Sequence, residues 1–122
     1  MKTPVTPWLR LEGLAVFGAA LEAYRYFHLP GMWFALLFLA PDLSLLGYLA
    51  GPRAGAWAYN LVHNYALALG ALALGLLVGQ NAGIASGLIL CAHIGFDRAL
   101  GYGLKLPEGF RHTHLGLIGR DQ

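Results

Sequence analysis

Long apolar runs, separated by short clusters of glycine, proline and polar residues, set the layout of this chain. No Asp, Glu, Lys or Arg occurs between Arg53 and Asp97, so Ala54–Phe96 is an uncharged run of 43 residues. A helix that crosses a membrane needs about 20 predominantly apolar residues at about 1.5 Å each. The run therefore accommodates two passes and a turn, and Gly79-Gln80-Asn81-Ala82-Gly83 supplies the turn residues. Helices are expected over 54–78 and 82–104. A second uncharged stretch, Tyr26–Pro41, continues past Asp42 to Ala50; Pro30-Gly31 and Gly51-Pro52 bound a helix over 32–50. The first helix is expected over 8–27, where Thr6-Pro7-Trp8 reads as an N-cap followed by proline at the first helical position. It holds Arg10, Glu12, Glu22 and Arg25, which leaves only Gly13–Leu21 free of charge. Glu22 and Arg25 are three apart and can pair on one face, and Trp8, Tyr24 and Tyr26 sit where an aromatic belt is expected. An amphipathic helix on the membrane surface is the alternative for this segment. A cleaved signal peptide fits less well, because Glu12 interrupts the apolar region such a peptide requires.

Composition agrees with this layout. Of 122 residues 57% are hydrophobic and 11% charged, with a net charge of +2, and the mean hydropathy is +0.57. Soluble domains carry about 25% charged residues, so disorder, a nucleic-acid-binding arm and a small water-soluble globule are all disfavoured. The length suits one domain. With four passes, Lys2, Arg10, Arg53, Arg98, Lys105, Arg111 and Arg120 fall on one side and only Arg25 on the other. The positive-inside rule then makes both termini cytoplasmic. The expected architecture is all-α: a four-helix transmembrane bundle forming one multi-pass domain over 1–122 in the inner (plasma) membrane, with a polar tail over 105–122 and the lipid bilayer as its main partner. Gly83, Gly87, Cys91 and Gly95 recur every four residues, and Ala71, Gly75 and Gly79 do the same. Such small-residue stripes let membrane helices approach closely, within the chain or between copies in a homo-oligomer. Cys91 reads as a packing residue of this stripe.

Ionisable groups within a bilayer are costly and mark functional candidates. Here they are Asp42, His63, His93 and Asp97, on three different helices. Counted from the cytoplasmic ends, Asp42, His63 and His93 all lie about 14–17 Å deep, and Asp97 lies one turn shallower. His93 and Asp97, four residues apart, share a helix face. Tyr59, Asn60, His63 and Asn64 cluster on the preceding helix. Pro41 removes a helical hydrogen bond just before Asp42 and can open the backbone there. Neutral imidazoles and carboxylates suit a divalent cation such as zinc. In the tail, His112 and His114 are separated by one residue and share a side of an extended segment, which could fold over the cavity mouth. Asp42 could instead simply pair with Arg53 or Arg98, and Arg98 could balance Asp97 or hold an anionic ligand.

The string from Leu39 through Pro41-Asp42 to Gly51-Pro52-Arg53 continues to Ala58-Tyr59-Asn60-Leu61-Val62-His63. Together with Ala92-His93-Ile94-Gly95-Phe96-Asp97-Arg98, Gly101-Tyr102-Gly103-Leu104-Lys105 and His114-Leu115-Gly116, it resembles a family of small bacterial integral-membrane proteins defined as a numbered domain of unknown function. The resemblance runs from Leu9 to Gly116 and implies a polytopic membrane protein without implying an activity. Pro41-Asp42 and His112-Thr113-His114 also bear a looser similarity to membrane-bound metal-dependent hydrolases, by analogy only.

Three functions compete. In a hydrolase-like site, Asp42, His63, His93 and Asp97 hold the metal, which acidifies a water for attack on an ester or phosphoester. Asp97, Arg98, His112 and His114 are then the candidate catalytic groups, with Arg98 holding an anionic substrate and the tail histidines moving protons. In a proton or small-solute transporter the same groups line a wet cavity. In a binding protein, His63 and His93 hold a b-type haem; the CxxCH motif of covalent attachment is absent. A scaffold whose buried polar groups only specify packing is the blandest alternative. No GxxxxGK[ST] loop or GxGxxG fingerprint is present, and the few cations of the tail are too sparse for a nucleic-acid footprint.

Overall fold

The computed structural model describes residues 4–101, and the backbone of 112–113 and 116–117. Helix α1 (Thr6–Tyr26) is followed by α2 (Gly31–Leu37), a 3₁₀ segment (Ala40–Ala50), α3 (Pro52–Val62), α4 (Tyr65–Val78) and α5 (Asn81–Leu100). Two-residue strands β1 (His112–Thr113) and β2 (Gly116–Leu117) pair antiparallel, with His112 opposite Leu117. The helical elements form four segments: α1, α2 with the 3₁₀ segment, α3 with α4, and α5. Three stretches among the described residues are long and apolar enough to cross a membrane: Gly31–Ala50, Pro52–Val78 and Asn81–Leu100. Helix α1 has similar length but carries Arg10, Glu12, Glu22 and Arg25 and is not one of the three. Its expected Arg25–Glu22 pair is formed.

The two middle passes depart from the continuous helices expected over 32–50 and 54–78. In the first, the α-helix stops at Leu37, and beyond Pro41 the backbone tightens into 3₁₀ geometry, with the Asp42 N–H bonded to the Leu39 carbonyl at 3.0 Å. Proline offers no N–H and its ring crowds the preceding turn, so an α-helix cannot run through it undisturbed. In the second, the helix breaks at His63-Asn64, between α3 and α4. There the Asn64 side chain takes over as N-cap, accepting from the Leu67 N–H at 2.9 Å, a role for which asparagine is well suited. The last helix stops at Leu100 rather than 104, because Gly101 adopts φ 94°, a left-handed conformation that closes helices.

Helix α5 packs against both α1 and α4. It runs antiparallel to α1: the Arg10 Nε donates to the Ala99 carbonyl at 3.0 Å near one end, while Tyr24 meets Ile84 and Leu88 in one apolar cluster near the other. The glycine stripes serve these contacts. A Cβ on Gly95 would fall 2.5 Å from the Gly13 carbonyl oxygen, and one on Gly83 would fall 2.8 Å from the Gly75 Cα. Close approach of this kind substitutes for the hydrophobic drive that is missing between helices in lipid. Cys91 is buried with Ala20, Ala68, Ala92 and Ile94, the packing role expected of it. The outer faces invert the pattern of a soluble protein, with Leu49, Leu77, Trp57 and Met32 largely exposed.

Candidate metal centre

The four ionisable residues singled out on the three passes come together. One ligating atom from each of Asp42, His63, His93 and Asp97 lies within 4.8 Å of the other three. The Nε2 atoms of His63 and His93 are 3.1 Å apart, and the Asp42 Oδ1 is 3.2 Å from each. The Asp97 Oδ2 is 3.3 Å from the His93 Nε2 and 3.7 Å from the His63 Nε2. His63 and His93 are fully buried. The Asp97 side chain is 14% exposed and that of Asp42 39%.

The backbone breaks explain why the imidazoles point as they do. In an α-helix the Phe38 carbonyl would accept from the N–H of Asp42, four residues on. That N–H turns instead to Leu39, and the released Phe38 carbonyl accepts from the His93 Nδ1 at 2.6 Å. The His63 Nδ1 donates to the Tyr59 carbonyl at 2.8 Å. A carbonyl can only accept, so each Nδ1 carries the hydrogen, and in each neutral ring Nε2 is left as a bare lone pair. Both lone pairs face the same gap as two carboxylate oxygens. Hydrogen bonds from the far imidazole nitrogen to backbone carbonyls are the usual second layer of a histidine metal site.

Tyr59 ties the cluster together. Its ring stacks on His63 with centroids 3.6 Å apart and planes 6° from parallel. Its hydroxyl donates to the Asp97 Oδ2 at 3.3 Å, and its carbonyl holds the His63 ring. The signal for this role in the sequence is the position of Tyr59 four residues before His63, on the same helix face. Arg98 reaches the second backbone break. It donates to the His63 carbonyl at 3.3 Å and lies over the Tyr65 ring, 5.1 Å from its centroid. The His63 carbonyl is open to Arg98 because Leu67, its normal helical partner, bonds to Asn64. Arg98 thus braces the second break. Asn64 donates to the carbonyls of Asn60 and Leu61, which completes that break. Of the tail candidates, His112 is described only by the backbone of β1, and His114 lies outside the described residues.

Five of the six separations among these four atoms span 3.1–3.7 Å. A tetrahedral ion with ligands at about 2.0–2.1 Å has ligand–ligand edges of about 3.3–3.4 Å. The donor set of two imidazoles and two carboxylates therefore has the size and chemistry of a zinc-type site. A haem does not fit the same gap, because both carboxylates occupy the space between the imidazoles that a flat macrocycle would need.

Fold and site define a class: a small helical protein with three stretches able to span a membrane and a buried His/Asp group. Comparison with known families places it further. The chain belongs to the family described as Domain of unknown function (DUF4260), which it matches over residues 6–118, in agreement with the resemblance read from its motifs. No curated protein and no solved structure matches the chain. The looser similarity to metal-dependent hydrolases is thus unsupported, and the comparisons favour neither a hydrolase nor a transporter.

Proposed function

We propose that this protein binds one divalent transition-metal ion, zinc or an ion of similar preference, inside the membrane. Its ligands are the His63 and His93 Nε2 atoms and one oxygen each of Asp42 and Asp97. The observation that carries this reading is the orientation of the two buried imidazoles: both direct Nε2 at the same two carboxylates, 3.1 Å from one another, with Nδ1 tied to a backbone carbonyl. Two carboxylates held this close in a low-dielectric setting need positive charge to balance them. A divalent ion balances the charge and receives all four lone pairs. The cation asymmetry of the sequence supports a topology with both termini in the cytoplasm, and Arg10 beside Ala99 suits an even number of passes. The test is metal analysis of the full chain purified in detergent, with a zinc titration of the wild type and of His63→Ala/His93→Ala. One tightly held ion per chain, lost in the double variant, is expected. Failure of the wild type to bind, or equal binding by the double variant, overturns the proposal.

A second reading concerns what the ion does. A structural zinc site is closed by four protein ligands, whereas a catalytic one keeps a position for water. Asp42 is the exposed ligand and rests on a 3₁₀ segment, while the other three are mostly buried. Displacement of Asp42 leaves a three-ligand set and places a free carboxylate beside the vacated position, where it can accept a proton from water. A bound zinc ion supplies the acidification of that water. Ester or phosphoester hydrolysis is the chemistry this arrangement suits. Metal-dependent hydrolysis of a chromogenic ester, abolished in Asp42→Ala although the ion is retained, is the expected result; undiminished turnover by that variant contradicts the reading.

A further inference from the structure

An apolar cleft of about 290 Å³ lies behind the His/Asp cluster, lined by Leu37, Ala40, Pro41, Val62, Leu67, Ser86, Ile89 and Leu90. Its position is informative. Pro41 and Val62 immediately precede the ligands Asp42 and His63, and Ile89 lies one turn before His93. The lining residues also fall near the midpoints of all three stretches able to cross a membrane, Gly31–Ala50, Pro52–Val78 and Asn81–Leu100. At that depth the surroundings are hydrocarbon, without headgroups or water. The one hydroxyl in the wall, that of Ser86, donates to the Ala82 carbonyl at 2.8 Å, so the wall offers no free hydrogen to a ligand there. Leu37 and Leu67 are partly exposed at the cleft, which opens it toward the lipid.

We infer that this cleft binds an acyl chain of a bilayer phospholipid. A peptide or polar solute would bring several hydrogen-bonding groups against side chains that are apolar but for Ser86. A hydrocarbon chain brings none, and it gains dispersion contacts in a recess that packing would otherwise leave void. The bound chain bears on Pro41 and Val62, that is, on the backbone beside both breaks that orient the imidazoles. The inference depends on the membrane placement and is independent of whether a metal is bound.

The test uses the full chain in nanodiscs of phosphatidylcholine containing a fraction with a diazirine near the acyl terminus. After irradiation the labelled residues are mapped by mass spectrometry, and metal content is measured on the same sample. Adducts at Leu67 and Leu90 are expected to exceed those at Leu61 and Leu69, exposed leucines near the same depth outside the cleft, by about tenfold, the ratio a preference of about 1.4 kcal/mol produces. Ser86→Phe, which fills the cleft from α5, is expected to lower the cleft adducts to the level of Leu69 and to leave metal content unchanged. Leu37→Trp, at the rim, provides the same comparison if Ser86→Phe does not fold. Even labelling of all exposed leucines overturns the inference. So does displacement of the label by a long-chain polyisoprenol but not by unlabelled phosphatidylcholine.

Discussion

Helix α5 and the stretch from Phe38 to His63 each supply two residues to the cluster, and they do so in opposite ways. Helix α5 is unbroken; His93 and Asp97 share one face through regular spacing, and the helix is locked between α1 and α4 by glycine contacts. The other stretch is bent twice. Its 3₁₀ segment and the break at His63-Asn64 release the carbonyls of Phe38 and His63, and both are taken by side chains of α5, His93 and Arg98. A straight helix can place donors at a fixed depth, but its own carbonyls are bonded internally. Bent passes provide the acceptors that fix the tautomer of a buried histidine, and broken backbone is tolerated at membrane depth where protein groups satisfy it. Half of the site is thus set by helix periodicity and half by deliberate departures from it.

Substitutions can break this division at several points, and their effects should be graded. The largest belongs to His93→Ala, which removes a ligand and leaves the Phe38 carbonyl without its partner. Stoichiometric zinc should be lost, and thermal unfolding in detergent should show a cost of about 1–3 kcal/mol for the orphaned buried acceptor. Equal stability of wild type and variant, both stripped of metal, would show that the bent pass does not depend on α5. Next come the carboxylates. Asp97→Asn, on the rigid helix and held by Tyr59, should weaken zinc binding more than Asp42→Asn on the exposed 3₁₀ segment; calorimetric titration showing the reverse order would invert the assignment of rigid and yielding halves. Tyr59→Phe keeps the ring stacked on His63 and the carbonyl in place but deletes the bond to Asp97. A loss of about 10–100-fold in metal affinity is expected, as for other groups that orient ligands; an unchanged affinity limits Tyr59 to packing. The smallest effect is that of Asn64→Ala, which removes the cap of α4 at about 1 kcal/mol, measured as a lowered unfolding midpoint.

Much of this was legible in the residues themselves. The uncharged run Ala54–Phe96 and its glycine-rich turn located α4 and α5, and equal counting from the helix ends brought Asp42, His63 and His93 to one depth before any contact was known. Pro41 pointed to an opened backbone at Asp42. The break at His63-Asn64 is hidden in the sequence, because no proline or glycine marks it and the apolar pattern continues across it; only the capping tendency of Asn64 hints at it. The charge of Arg98 suggests a counter-charge in the sequence, but its bond to the His63 carbonyl, which only the break makes available, has no such signal. Interactions with released carbonyls carry no signature in residue type, which is why the ligands were visible in the sequence and the groups that orient them were not.

The central claim is that Asp42, His63, His93 and Asp97 form one four-coordinate metal site. X-ray absorption at the zinc edge, on the full chain loaded with a single equivalent of zinc, addresses it most directly. The account predicts four nitrogen or oxygen neighbours at about 2.0–2.1 Å, with outer-shell scattering from two imidazoles that disappears in His63→Ala/His93→Ala. A six-coordinate shell of oxygens without imidazole scattering, unchanged in that variant, would contradict it.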